Sequence, residues 1–103
     1  MQQRLPEIFE EFTRDFPAAA DAYQQLGDVV HSAGPLDARS RRLVKLGIAV
    51  GVGSEGGVRS QVRKALAEGL SRAEIEHAIL LGLTTAGFPA MIAALQWSRQ
   101  VPG

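Results

Sequence analysis

The sequence predicts an all-α protein of about six helices, and two observations support this. Apolar residues recur at spacings of three and four along almost the whole chain, which is the period of an amphipathic helix. No segment alternates apolar and polar residues with the period of two that a half-buried strand shows. A chain of 103 residues can build one hydrophobic core but not two. We therefore expect one domain over 1–103, with an N-terminal helical pair at 1–34 and a core at 36–100.

Two helices are predicted in the N-terminal third. The first ends near Asp15 and carries an apolar stripe of Leu5, Ile8, Phe9, Phe12 and Phe16. Pro17 suits the first turn of a second helix, which extends from Ala18 to about His31. Gly34 and Pro35 then end this helix, because glycine and proline commonly follow a helix C-terminus.

Polar caps mark the later helices. Asp37 is a suitable N-cap for a third helix that continues to about Val52. A fourth helix follows the break at Ser54–Gly57. Ser71 and Glu74 form a capping-box pattern, which predicts a fifth helix from Ser71 to Ala86. A turn at Gly87–Pro89 leads into a last helix, from Ala90 to about Gln100.

Two of these helices have more apolar surface than one small core can cover. The fifth is apolar at Ile75 and Ile79 on one face and at Leu80 and Leu81 on another. The third also has a second apolar face, formed by Val44, Ile48 and Val52. Because a domain of this size has few helices to spare, we expect a second subunit to cover these faces. The sequence therefore predicts a homo-oligomer.

Composition excludes several classes of function. Lys plus Arg equals Asp plus Glu at 11 each, so no net charge attracts nucleic acid or an anionic membrane. The chain has no cysteine, which excludes disulfides, thiolate metal sites and thiol redox chemistry. The two histidines are far apart in sequence, so we do not expect a zinc site. We expect no cofactor, no bound metal and a cytoplasmic location.

Three segments carry a resemblance to a known family: LDARSRRLVKLGIAVG, GSEGGVRSQVRKALAEGLSRAEIEHAILL and TAGFPAMIAAL. Together, from Leu36 to Leu95, they resemble the carboxymuconolactone decarboxylase and alkylhydroperoxidase D-like family. The resemblance implies a helical fold built around a helical hairpin. It also implies assembly as a trimer or hexamer.

The active residues of that family are mostly replaced in this chain. Its redox branch has a Cys-x-x-Cys pair, a histidine and a glutamate on the preceding helix. Ser54 and Gly57 stand at the cysteine positions, Gln61 at the histidine and Arg42 at the glutamate. Serine and glycine cannot reduce a peroxide or resolve a sulfenic acid, so thiol peroxidase chemistry is excluded. In the decarboxylase branch, Glu55 fits the acidic position that the resemblance implies.

Glu55, Arg59 and Arg63 are spaced four apart and share one face of the predicted fourth helix. One interpretation is a solvated ladder of ion pairs. The other makes Glu55 a general acid or base and uses Arg59 or Arg63 to hold a substrate carboxylate. Gln61 cannot titrate, so its role in that site would be to orient the substrate through hydrogen bonds.

Three further candidates for substrate binding also have a structural interpretation. Ser54 suits a helix N-cap better than a nucleophile, because no histidine lies nearby in sequence to activate it. Gly57 either lets the backbone approach an anion or only shapes the turn. His77 is a candidate ligand-binding residue or an interface histidine.

Two hypotheses about function remain. The first is a carboxymuconolactone decarboxylase-like protein that acts on or binds a small carboxylate or lactone without thiols. If it is an enzyme, it is a decarboxylase-like lyase. The second is a non-catalytic oligomer that binds a ligand or has lost its activity.

Overall fold

The computed structural model describes residues 6–103 and confirms the all-α fold. Leu5, which we assigned to the first apolar stripe, lies outside this range. Six α-helices follow one another along the chain, and no strand occurs between residues 6 and 103. The helices are α1 (Glu7–Asp15), α2 (Pro17–His31), α3 (Ala38–Gly51), α4 (Glu55–Ala67), α5 (Arg72–Leu80) and α6 (Phe88–Gln100), with a 3₁₀ turn at Leu81–Leu83 between the last two.

The chain divides into two compact units, Met1–Pro35 and Leu36–Gly103. In the first unit, α1 and α2 pack against each other. The rings of Phe12 and Phe16 lie 5.9 Å apart between centroids. Neither helix contains a buried residue, although both are amphipathic. Two helices alone cannot enclose a core, so the apolar stripes of this unit remain accessible.

The second unit contains the hydrophobic core, and α3 packs most extensively against α4. Each of its four helices contributes residues to the core at helical spacing. The largest apolar side chains that solvent does not reach are Leu46 and Val50 of α3, Val58 and Val62 of α4, and Ile75 and Ile79 of α5. Met91 and Ala94 extend the core from α6.

The predicted caps of three helices are present. The Asp37 carboxylate accepts from the Ser40 N–H at 2.8 Å and begins α3. The Ser54 hydroxyl accepts from the Gly57 N–H at 2.9 Å and begins α4. Ser71 and Glu74 form both bonds of a capping box, at 3.1 and 2.9 Å. These caps satisfy N–H groups that have no partner inside the helix.

The fifth helix is shorter than the sequence predicted, because α5 ends at Leu80 rather than at Ala86. The Gly82 carbonyl accepts from the N–H groups of Ala86 and Gly87, at 2.8 and 3.1 Å, and this closes the chain into a turn. A Cβ atom on Gly82 would lie 3.0 Å from Val50, so glycine allows the turn to approach α3 closely. The last helix correspondingly begins at Phe88, two residues before the predicted start.

The second apolar faces predicted for α3 and α5 are exposed to solvent. Val44, Ile48 and Val52 are between 50% and 73% exposed on α3. Leu80 and Leu81 are similarly exposed at the end of α5. The prediction of an oligomer rests on these faces and stays a prediction. Within residues 6–103, no helix has both the length and the apolar character needed to cross a membrane.

Candidate functional site

Arg42 and Gln61 meet, although they lie 19 positions apart in sequence. Arg42 Nη1 donates a hydrogen bond of 2.5 Å to the side-chain oxygen of Gln61. Its Nε and Nη2 each donate a 2.9 Å bond to the Glu68 carboxylate, which makes the ion pair bidentate. The Arg42 side chain is only 7% exposed, whereas that of Glu68 is 40% exposed. A buried guanidinium thus depends on a carboxylate that solvent can reach.

Helix geometry explains this arrangement. Gln61 and Glu68 are seven residues apart, about two turns, so both project from the same side of α4. Glu68 is the C-cap residue of α4. The tight packing of α3 against α4 brings Arg42 between these two side chains. The negative end of the helix dipole disfavours a carboxylate at a C-terminus, and the ion pair with Arg42 offsets this cost for Glu68.

Further basic residues surround this pair. Burial lowers the pKa of the Lys64 ammonium, and the charges of Arg42 and Lys45 lower it further. Arg63 acts in the same direction, while Glu68 opposes them. Cations this close repel one another and favour the binding of an anion. We name five of these residues the α3–α4 cluster: Arg42, Lys45, Gln61, Lys64 and Glu68.

Glu55 and Arg59, two candidate site residues, lie elsewhere on α4. Arg59 Nε donates to the Glu55 carboxylate at 3.1 Å, and Arg59 also donates to the side-chain oxygen of Gln100 on α6. Glu55 is 56% exposed. Six residues separate it from Gln61, which corresponds to about 240° around the helix. The candidate acid or base and the candidate orienting residue therefore face different directions.

Ser54 and Gly57 form the N-terminal turn of α4. Their mutual hydrogen bond is the helix cap described above. A Cβ atom on Gly57 would lie 2.8 Å from the Ser54 hydroxyl oxygen and 3.2 Å from the Ala49 Cβ. The close approach to α3 therefore requires glycine here. Ser54 and Gly57 therefore both have a structural role, the first as the cap of α4 and the second in its packing on α3.

His77 lines an apolar groove between α3 and α5 with a volume of about 670 Å³. Val44 and Ile48 form one wall of this groove, and Ala78 and Leu81 lie on the other. The volume is in the range of small-molecule sites. Within residues 6–103, the groove that His77 lines includes no residue of the α3–α4 cluster or of the Glu55–Arg59 pair.

The structure thus separates the candidate residues into four groups rather than one site. Gln61 falls in the α3–α4 cluster, and Glu55 pairs with Arg59 on another face of α4, which helical spacing assigns to Arg63 as well. Ser54 caps α4 at Gly57, and His77 lies in the groove. Sequence analysis missed Glu68, Lys45 and Lys64. Spacing could have found them, because Lys45 follows Arg42 by three residues and Glu68 follows Lys64 by four. Among residues 6–103, no three histidine, aspartate or glutamate side chains could together hold a metal ion.

Comparison with known proteins supports the resemblance in the sequence. Residues 17–100 match the model of the carboxymuconolactone decarboxylase family. An uncharacterized protein of Methanocaldococcus jannaschii, MJ1511, is 29% identical over 97 residues, which cover 94% of this chain and 91% of that protein. A second from the same organism, MJ0742, is 28% identical over 82 residues, which cover 79% of each.

Proposed function

Because this chain belongs to the carboxymuconolactone decarboxylase family, we propose that it binds a small carboxylate, free or carried by a lactone, at the α3–α4 cluster and without thiol chemistry. The observation that supports this proposal is the bidentate bond between buried Arg42 and exposed Glu68. Arg42 and Gln61 also occupy positions that correspond to the family's glutamate and histidine. The ligand thus binds where the family resemblance implies chemistry.

Glu68 acts in this proposal as an internal substitute for the ligand. Its carboxylate makes with Arg42 the two parallel bonds that a ligand carboxylate would make. It is 40% exposed and sits at the unfavourable end of the α4 dipole, so it can rotate into solvent. The ligand then takes over both bonds, and Arg42 never loses its anionic partner.

Other members of the cluster supply affinity and orientation. Lys45 and Lys64 add positive charge to the cluster. Gln61 orients the ligand through its amide group. If loss of carbon dioxide follows binding, these cations stabilise the enolate that forms. Glu55 faces another direction on α4, so Glu55→Gln tests where the site is: we expect any turnover at the α3–α4 cluster to persist in this variant.

Titration calorimetry with succinate tests the proposal. We expect Lys45→Gln and Lys64→Gln each to weaken succinate binding by about tenfold, the loss of one charge-assisted contact. Arg59→Gln is the matched control, because Arg59 bonds to Glu55 and Gln100 outside the cluster. Succinamide, which lacks both charges, should not bind. Equal succinate affinities in all three variants, or no binding by the unsubstituted chain, would contradict the proposal.

The second candidate is a non-catalytic protein in which the cluster only holds α3 against α4. One observation favours it: three nitrogens of Arg42 already have acceptors within the chain. In that case succinate does not bind, and removal of Glu68 changes stability alone. Thiol peroxidase activity is not a candidate, because the chain contains no cysteine.

A further inference from the structure

Lys64 belongs to the α3–α4 cluster, and its amine can contribute more than charge. It follows Gln61 by three residues on α4 and precedes Glu68 by four. Residues at these spacings share one side of a helix, so Lys64 projects from the same face as two partners of Arg42. The Lys64 amine therefore lies on the side of α4 where the guanidinium holds its carboxylate.

The surroundings of Lys64 favour an uncharged amine. Partial burial removes water from the ammonium, and the positive charges of Arg42 and Lys45 oppose its protonation, so the pKa of Lys64 is lowered. An ammonium has no free lone pair, whereas a neutral amine is a nucleophile. Desolvation and neighbouring cations are two means by which proteins activate a lysine towards carbonyl compounds.

Lys64 is also accessible to a ligand. Solvent reaches this residue, although the protein around it removes part of the water from its ammonium. The Arg42 side chain lies deeper, at 7% exposed. A ligand that pairs its carboxylate with Arg42 thus extends outwards past the amine of Lys64. The carbonyl group of such a ligand is held close to the nucleophile, which raises its effective concentration there.

We infer that Lys64 forms a reversible imine with the carbonyl group of a small oxo acid whose carboxylate is held by Arg42. This inference rests on the proposed function, because Arg42 must first exchange the Glu68 carboxylate for that of the ligand. The ligand class thus narrows from carboxylates in general to carboxylates that also carry an aldehyde or a ketone.

The step balances within the cluster. The Lys64 ammonium gives one proton to the released Glu68 carboxylate, one helical turn away, and its lone pair forms a C–N bond to the carbonyl carbon. A second proton moves from the nitrogen to the carbonyl oxygen, which gives a carbinolamine. Glu68 then returns its proton to this oxygen, which leaves as water as the C=N bond forms. Neither partner is oxidised or reduced.

Reductive trapping with sodium cyanoborohydride tests the inference, with succinic semialdehyde as the probe. This molecule is succinate with one carboxylate replaced by an aldehyde, so it matches the ligand used for calorimetry. The reductant converts an imine into a stable secondary amine, which peptide mass spectrometry locates. The chain has only two lysines, Lys45 and Lys64. We expect at least about tenfold more adduct on Lys64 than on Lys45.

Matched probes and variants show whether the carboxylate site directs the reaction. Butanal carries the same aldehyde without a carboxylate, so we expect it to label Lys64 about tenfold less. Excess succinate should suppress labelling by the semialdehyde. Lys64→Arg keeps the positive charge but cannot form the imine, so the main adduct should disappear. Arg59→Gln, outside the cluster, should be labelled like the unsubstituted chain.

The outcomes separate this inference from the proposed function. If succinate binds in calorimetry but the semialdehyde leaves no adduct on Lys64, the imine is wrong and the carboxylate site stands. If succinate does not bind and Lys64 is not labelled, both are wrong. Equal labelling of Lys45 and Lys64, or equal labelling of Lys64 by butanal and the semialdehyde, would also overturn the inference.

Discussion

Arg42 and Glu68 are joined by two hydrogen bonds of equal length, 2.9 Å each, across the packing of α3 on α4. Only Glu68 remains substantially exposed. The dependence between the two residues is therefore unequal. Glu68 can be hydrated without Arg42, but Arg42 without an anion is a buried charge that nothing compensates.

Replacement of Glu68 should consequently lower stability. We expect Glu68→Gln to reduce the free energy of unfolding by about 2 kcal/mol, less than the loss of a fully buried partner because Glu68 is partly exposed. Urea denaturation measures this change. Glu55→Gln, which breaks an exposed pair, should cost less than about 1 kcal/mol. Equal losses would show that Arg42 does not need Glu68.

The same substitution should strengthen the binding of an added carboxylate. Removing the internal carboxylate frees Arg42, so we expect Glu68→Gln to bind succinate about tenfold more tightly than the unsubstituted chain. Added succinate should also restore part of the lost stability. Thermal denaturation with and without succinate measures both effects. A variant that is less stable and binds no more tightly would support the structural role alone.

Two neighbouring glycines of α4 should respond to alanine in opposite ways. A Cβ atom on Gly57 would meet Ser54 and Ala49, so we expect Gly57→Ala to destabilise the fold by about 1–3 kcal/mol. Nothing lies within 4 Å of a Cβ atom on Gly56. Gly56→Ala should therefore stabilise the helix by up to about 1 kcal/mol. Chemical denaturation compares the pair, and two changes of the same sign would disprove the close contact.

Stability should decrease in acid through Glu74. Hydrogen bonds from the Ser71 N–H, then from Arg39 and the Ser71 hydroxyl, lower the pKa of Glu74 from 4.5 to about 2. The lowered pKa means that the charged carboxylate stabilises the fold above pH 4.5, and this contribution is lost as the pH falls towards 2. In thermal melts, Glu74→Gln should flatten this part of the profile. Parallel profiles of wild type and variant would contradict the prediction.

Local chemistry made much of the fold predictable. Asp37, Ser54 and Ser71 bond to N–H groups within three residues, so the caps follow from short patterns in the sequence. The end of α5 was not predictable in this way. It depends on how closely Gly82 approaches Val50, and that contact exists only once α3 and α5 have packed.

The candidate site was less predictable, for a related reason. Gln61 could be singled out from its motif, but its partner Arg42 is on another helix. Glu68 is not one of the positions at which the family carries its cysteines, histidine or glutamate, although helical spacing places it on the side of Gln61. Motif positions indicate where a family carries out chemistry. In this chain, the carboxylate that bonds to Arg42 comes from Glu68, which is at none of those positions.

The helix start at Ser54 and Gly57 does not readily accommodate a Cys-x-x-Cys pair. Two substitutions to cysteine would recreate the motif on paper. The cysteine at 57, however, would bring a side chain to within 3.2 Å of the Ala49 Cβ, and the cysteine at 54 would remove the hydroxyl that begins α4. A thiol pair engineered at these positions would therefore require α4 and α3 to shift slightly apart at Ala49.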